Sequence, residues 1–275
     1  MSINKHAIIT GGSSGIGKAL AIKLAQQGYS LSIIAREEHK LSVAKQEIIA
    51  HCSNPLSILT FSADVSKESE IQSAIEDAIL KQGVPDLLIT SAGIAHCDYF
   101  DNLSSELFER NISINYLGSL YAIKAVFPQM KKQKAGHIVL ISSGAGLIGI
   151  WGYSAYSPSK FAIRGLAEAL RPEFKKYGIN VSIAYPPDTD TPQLICEEKT
   201  KPAETKKITG IVKPWSADAV AAYIVQGIKK NKFHITPGFS IRLLRMFHSP
   251  LFPLFNFYFD MLVRRPSKVS KDKEL

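Results

Sequence analysis

The sequence predicts a single α/β domain built on a doubly wound parallel sheet, and three observations carry that expectation. Short apolar runs alternate with longer amphipathic stretches along the chain, the pattern of strands joined through helices that cover both sheet faces. The first run, residues 6–10, ends in Gly11-Gly12-Ser13-Ser14-Gly15-Ile16-Gly17, and a helix-periodic segment follows at once. The chain has 275 residues, of which 45% are hydrophobic and 21% charged, so it can bury one sizeable core.

Glycines let a backbone turn tightly and approach a pyrophosphate, and the helix start beyond them offers free N–H groups and a positive dipole end. Gly11, Ser13, Ser14, Gly15, Ile16 and Gly17 are therefore candidate cofactor contacts; a ligand-free glycine turn is the plainer alternative. The second strand, residues 31–35, ends at Ala35, where an acidic residue would bind the ribose 2′-hydroxyl of NAD. Arg36 follows instead, and Lys40 lies four residues on. A planar guanidinium suits a 2′-phosphate, so the expected cofactor is NADPH. The alternative is that Glu37 and Glu38 pair with these two cations on a solvated face.

A third strand, 56–62, leads to Asp64 and Val65 at the expected adenine edge, with Asp64 also a candidate cap for a helix over 68–81. A fourth, 86–90, ends in Ser91-Ala92-Gly93, where small residues let a ring pass close to the sheet. A long helical stretch over 103–130 contains Asn115, costly inside a helix unless it has a task. A kinked backbone that binds water is one such task, and a satisfied buried amide the other. After a strand over 137–141 comes SSGAGLIGIWGYSAYSPSK, which holds Ser143, Tyr156 and Lys160. Tyr156 and Lys160 are four apart, so a helix starting near Tyr156 places phenol and ammonium on one face. A cation there is expected to lower the phenol's pKa.

That helix is expected over 156–177, bent at Pro172. A strand over 180–185 stops at Pro186-Pro187-Asp188-Thr189-Asp190-Thr191-Pro192. The polar, poorly periodic stretch 187–214 reads as a mobile substrate lid. A helix over 216–230 and a strand over 233–236 close the domain, which spans 1–239 with no internal repeat.

Cys52, Cys97 and Cys196 have neither paired nor metal-ligand spacing, so no metal is expected and a reducing, cytoplasmic setting fits. With an apolar strand starting near residue 6, no signal peptide is expected. The charge of +9 comes with no basic helix or nucleic-acid module, which argues against nucleic acid.

Thr10-Gly11-x-x-x-Gly15-x-Gly17, Asn115, Ser143 and Tyr156-x-x-x-Lys160 together resemble the short-chain dehydrogenase/reductase family, over about residues 5–238. The resemblance implies a Rossmann-like fold and a ketone reduction. In that scheme Tyr156 donates the proton and Lys160 holds the nicotinamide ribose. Ser143 binds the substrate oxygen, in preference to Ser142, and Asn115 holds a relay water. Thr191 and the backbone at Thr189 hold the carboxamide. Two departures are Thr90-Ser91 and Pro186-Pro187, where the family has Asn-Asn and Pro-Gly. WGYSAYSPSKFAIRGLAEALRPE, PPDTDTP and TKPAETKKI are similar to the branch that reduces 3-ketosphinganine with NADPH. The alternatives are another bulky ketone (steroid, retinoid or acyl) and a non-catalytic NADPH sensor.

The tail, 240–275, crowds Phe247, Phe252, Phe255, Phe257, Tyr258 and Phe259 between arginines. It is too short and too broken by Pro250, Pro253, Asn256 and Asp260 to span a bilayer. Peripheral contact with a cytoplasmic membrane face through 241–265 is expected. Packing on the domain or on a second subunit is the alternative, which leaves a homo-oligomer open.

Overall fold

A computed structural model describes residues 5–52, 57–210 and 213–264. Residue 56 of the expected third strand, residues 211–212 of the expected lid, and the charged end 265–275 lie outside the described residues. Lys5–Thr10 (β1), Tyr29–Ala35 (β2), Ile58–Ser62 (β3), Leu87–Thr90 (β4), Gly136–Ile141 (β5), Ile179–Ala184 (β6) and His234–Ile235 form one parallel sheet. Its order is β3-β2-β1-β4-β5-β6, with His234–Ile235 at the far edge. Neighbouring strands are nearly all apolar because both faces are covered. Ile8, Leu88 and Ile138 point into one core, and Ala7, Ile9, Ile89 and Val139 into the other.

Gly15–Ala25 (α1), Glu38–Ala50 (α2) and Glu68–Gln82 (α3) alternate with the first strands. The long stretch expected as one helix is three pieces: Ser105–Asn111 (α4), a π-helical turn over Ile112–Leu117 that contains Asn115, and Gly118–Gln133 (α5). The extra residue of a π turn is the expected backbone distortion. Tyr156–Lys175 (α6) continues past Pro172. Strand order reverses between β1 and β4, which opens a crevice at the carboxyl ends of the strands, the site such sheets offer a ligand.

Where it is described, the stretch over 187–214 has more regular structure than its poor periodicity suggests. It contains Thr189–Asp190 (β7), Pro192–Glu197 (α7) and Ala203–Thr209 (α8), and β7 pairs with Trp215–Ser216 (β8). Apolar periodicity missed these helices because each buries a polar side chain, Glu197 in α7 and Thr205 in α8, and Lys201 between them is buried too. Ala217–Lys229 (α9) follows, then His234–Ile235 (β9) and a terminal helix, Phe239–Arg264 (α10). Asp64 is not the cap of α3; Lys67 holds that position, and Asp64 Oδ1 instead accepts from the Ser66 N–H at 3.0 Å and its hydroxyl at 2.8 Å.

His137 is buried in β5 with Nε2 2.7 Å from Ser182 Oγ. Burial lowers its pKa from 6.5 to about 4. The fold keeps this imidazole neutral, while the unfolded chain gains a proton below its ordinary pKa. Its contribution is therefore complete above pH 6.5 and is lost as pH falls to about 4. A shift of that size corresponds to about 3 kcal/mol. His234 is lowered likewise, to about 4, by burial. The melting temperature should fall across this window, and His137→Gln should flatten the slope by about one proton; an unchanged slope in denaturation at several pH values would refute the assignment.

Candidate active site

The turn from β1 to α1 is tight because two of its positions admit no side chain. Gly11 has φ +70°, and a Cβ there would lie 2.6 Å from the Ala92 nitrogen. A Cβ on Gly17 would meet the Gly11 carbonyl oxygen at 2.2 Å. Ser14 precedes α1 but its hydroxyl caps no N–H, so the first amides of the helix face the crevice without a side-chain partner. A cavity of about 550 Å³ runs from this loop past Arg36, Asp64 and Gly93 to Tyr156. Ser13, Ser14, Gly15, Ile16, Lys40, Val65, Ala92, Thr189 and Thr191 also line it, so every residue expected to hold the cofactor meets in one cavity.

The adenosine end carries the expected cations. Arg36 is exposed at the end of β2 and takes no ion pair among the described residues. Lys40 is already bound to Glu37 at 2.6 Å, so the glutamate alternative holds for Lys40 and not for Arg36. Burial would push the Asp64 carboxyl up, but hydrogen bonds from Ser66 and the Arg36 charge outweigh it and hold it below its usual range. Free amides, a guanidinium and a cavity of this size fit a dinucleotide phosphate.

Tyr156 and Lys160 lie one turn apart at the buried start of α6, with the Lys160 Nζ 5.5 Å from the Tyr156 ring centre. The Lys160 ammonium donates to the Ile141 carbonyl at 3.2 Å. Burial lowers its pKa to about 8. The phenol does not follow the expectation of a lowered pKa. Burial raises it, Glu197 adds to the rise, and nearby Ser143 and Gln193 only partly offset both. Withdrawal from water outweighs the neighbouring cation, so Tyr156 keeps its proton at neutral pH. Ser142 donates to the Lys160 carbonyl at 3.0 Å and is committed to the helix. Ser143 accepts the Ala145 N–H at 3.2 Å, faces the cavity and keeps its own proton available.

Asn115 is a satisfied amide. Its Oδ1 accepts the Ile94 N–H at 2.8 Å, and its Nδ2 donates to the Ile94 carbonyl at 3.0 Å and to Ser159 Oγ at 2.8 Å. This side chain clamps the loop after β4 to α6. Thr191 Oγ1 accepts the Leu194 N–H at 3.4 Å, capping α7, and its methyl faces Gly15. Thr189 Oγ1 donates to the Pro187 carbonyl at 2.7 Å. Of the departures from the family pattern, Thr90 has no partner for its buried hydroxyl among the described residues, while Ser91 bonds through its backbone to Thr10.

Tyr153, Gln193 and Glu197 are among the cavity residues that the sequence did not single out. The Tyr153 hydroxyl donates to Glu197 at 2.6 Å, and the Gln193 amide donates to it at 2.9 Å. Glu197 sits in a Cys-Glu-Glu-Lys run that reads as solvated, and only its spacing of four from Gln193 hints at a shared face.

A family model described as short chain dehydrogenase matches residues 5–201. A Bos taurus 3-ketodihydrosphingosine reductase is 45% identical over 85% of this chain and 71% of its own length. A Dictyostelium discoideum 3-ketodihydrosphingosine reductase is 40% identical over 94% of this chain and 82% of its own. Among solved structures, an actinorhodin polyketide ketoreductase with NADPH is 25% identical and superposes with a TM-score of 0.78, covering 85% of this chain and 95% of that one.

Arg36 is the charge expected to read the 2′-phosphate. Arg36→Ala should lower the ratio of kcat/KM for NADPH over NADH by roughly 10–100-fold, the worth of one or two charge-assisted hydrogen bonds. A ratio that does not move would exclude Arg36 from cofactor choice.

Proposed function

The chain belongs to the short chain dehydrogenase family, and on that premise we infer that it reduces the keto group of 3-ketosphinganine to sphinganine with NADPH. The observation that carries the reading is the buried, protonated Tyr156 phenol beside Ser143 in a cavity continuous with the glycine loop. NADPH supplies the hydride. The chain's residues do the rest. The loop amides and Arg36 would hold its phosphates, and Lys160 would hold its nicotinamide ribose. Ser143 donates to the ketone oxygen and fixes its position. Tyr156 delivers its proton to that oxygen as negative charge develops there, a role open to a phenol that holds its proton at neutral pH. Ile148, Ile150, Leu194, Ile208, Ile241 and Leu244 form apolar walls that suit a long alkyl chain.

The same reading extends to α10. Its inner face supplies Ile241 and Leu244 to the cavity, while Phe239, Met246, Phe252, Leu254 and Phe257 are exposed on the outside. Among the described residues no helix is long and apolar enough to cross a membrane. We propose that α10 lies on the cytoplasmic face of a membrane, with Arg242 at the headgroups and the phenylalanines among the acyl chains. A lipid ketone would then pass from bilayer to cavity along one helix. Free thiols at Cys52, Cys97 and Cys196 accord with a reducing compartment.

Tyr156→Phe should lower kcat about 10²–10⁴-fold and leave NADPH binding, followed by nucleotide fluorescence, close to wild type. Turnover of 3-ketosphinganine at the wild-type rate would remove Tyr156 from the mechanism. For α10, Phe252→Glu combined with Phe257→Glu should abolish flotation with anionic liposomes and spare reduction of a short, water-soluble ketone. Unchanged flotation would reject the membrane surface, and a dimer lost with the same substitutions would assign that face to a second copy.

A further inference from the structure

Glu197 is a carboxylate in the wrong place for stability alone. It is 7% exposed, yet no lysine or arginine pairs with it among the described residues. Its two hydrogen-bond partners among the described residues, Tyr153 and Gln193, are neutral donors. They fix its direction and fill part of its accepting capacity, since a carboxylate offers about four lone-pair sites. They do not neutralise its charge. A buried charge without a countercharge is costly and calls for a cation.

The position names that cation. Glu197 lines the same cavity as Tyr156 and Ser143, and the rings of Tyr153 and Tyr156 are 5.6 Å apart, so the carboxylate stands beside the point of ketone reduction. 3-Ketosphinganine carries an ammonium on the carbon next to its ketone. The neighbouring carbonyl makes that ammonium more acidic than an ordinary amine, so a facing carboxylate both binds it and keeps it charged. We propose that Glu197, held by Tyr153 and Gln193, is the residue that recognises the ammonium of an α-amino ketone and so sets the specificity of this site. The proposal rests on the reading of the substrate given above.

The other charges around Glu197 are consistent with an unfilled need. Asp188 lines the cavity as a second acid. Burial raises the pKa of both carboxyls, while Lys201 lowers them. Lys201 does not satisfy Glu197, because its ammonium is bound to Glu198 at 2.5 Å. An incoming ammonium would restore the charged form that burial disfavours.

Steady-state kinetics on 3-ketosphinganine and on its uncharged N-acetyl and des-amino analogues test the proposal. Wild type should favour the amine in kcat/KM by about tenfold or more, the worth of one charge-assisted contact. Glu197→Gln keeps the shape and the Tyr153 hydrogen bond but removes the charge. It should raise KM for 3-ketosphinganine by a similar factor and leave KM for the des-amino ketone unmoved, while any change in kcat from the lost charge acting on the Tyr156 phenol is shared by both substrates and cancels in the ratio of their kcat/KM values. Equal losses on amine and des-amino ketone would mark Glu197 as merely structural and overturn the proposal. So would a wild-type enzyme indifferent to the amine, a measurement that needs no variant to fold. A wild-type enzyme that reduces the analogues but not 3-ketosphinganine would instead overturn the substrate reading itself.

Discussion

Keeping one phenol and one ammonium away from water is the constraint around which this molecule is arranged. Tyr156 and Lys160 stand at the start of a helix that begins inside the protein. Two polar groups there cost free energy unless their surroundings hold them in a useful state. Lys160 is anchored to the Ile141 carbonyl, and the phenol is left protonated. A phenol that keeps its proton at neutral pH has one to give to a developing alkoxide.

The start of α6 is fixed from a distance. The π turn places Asn115 where it clamps both backbone groups of Ile94 and reaches Ser159, which donates to the Tyr156 carbonyl at 2.6 Å. One amide thus ties the loop after β4 to the catalytic helix. Gly93 must be small for the same reason: a Cβ there would stand 3.2 Å from Asn115 Oδ1 and 3.4 Å from Lys160 Nζ. The loop that floors the cavity is thereby hydrogen-bonded to the first turn of the catalytic helix.

The roof is built differently. β7, α7 and α8 turn polar side chains inward, so the wall opposite the phenol carries charge, while α10 closes another side with Ile241 and Leu244. A polar pocket for a head and an apolar passage for a chain meet at the same phenol. That division matches an amphiphilic ketone better than a rigid apolar one.

Much of this was legible in the chain itself. Alternating apolar runs and helical stretches specify a parallel sheet whatever the distant contacts, and the glycine loop and the Tyr156/Lys160 spacing follow from local geometry. Arg36 was readable because it directly follows a strand whose end is marked. Asn115 announced a distorted helix by being a poor residue for a regular one. What only the tertiary structure decided were the properties set by burial. Whether Lys160 or desolvation governs the phenol depends on how completely distant segments cover it. Whether Asn115 is free depends on Ile94, far away in sequence. Glu197 sits in a run of charges that reads as solvent-facing, and it becomes an inward carboxylate only when α7 folds over the cavity. Charge is written in the sequence; the dielectric around it is not, because burial is made by parts of the chain that meet only in the fold.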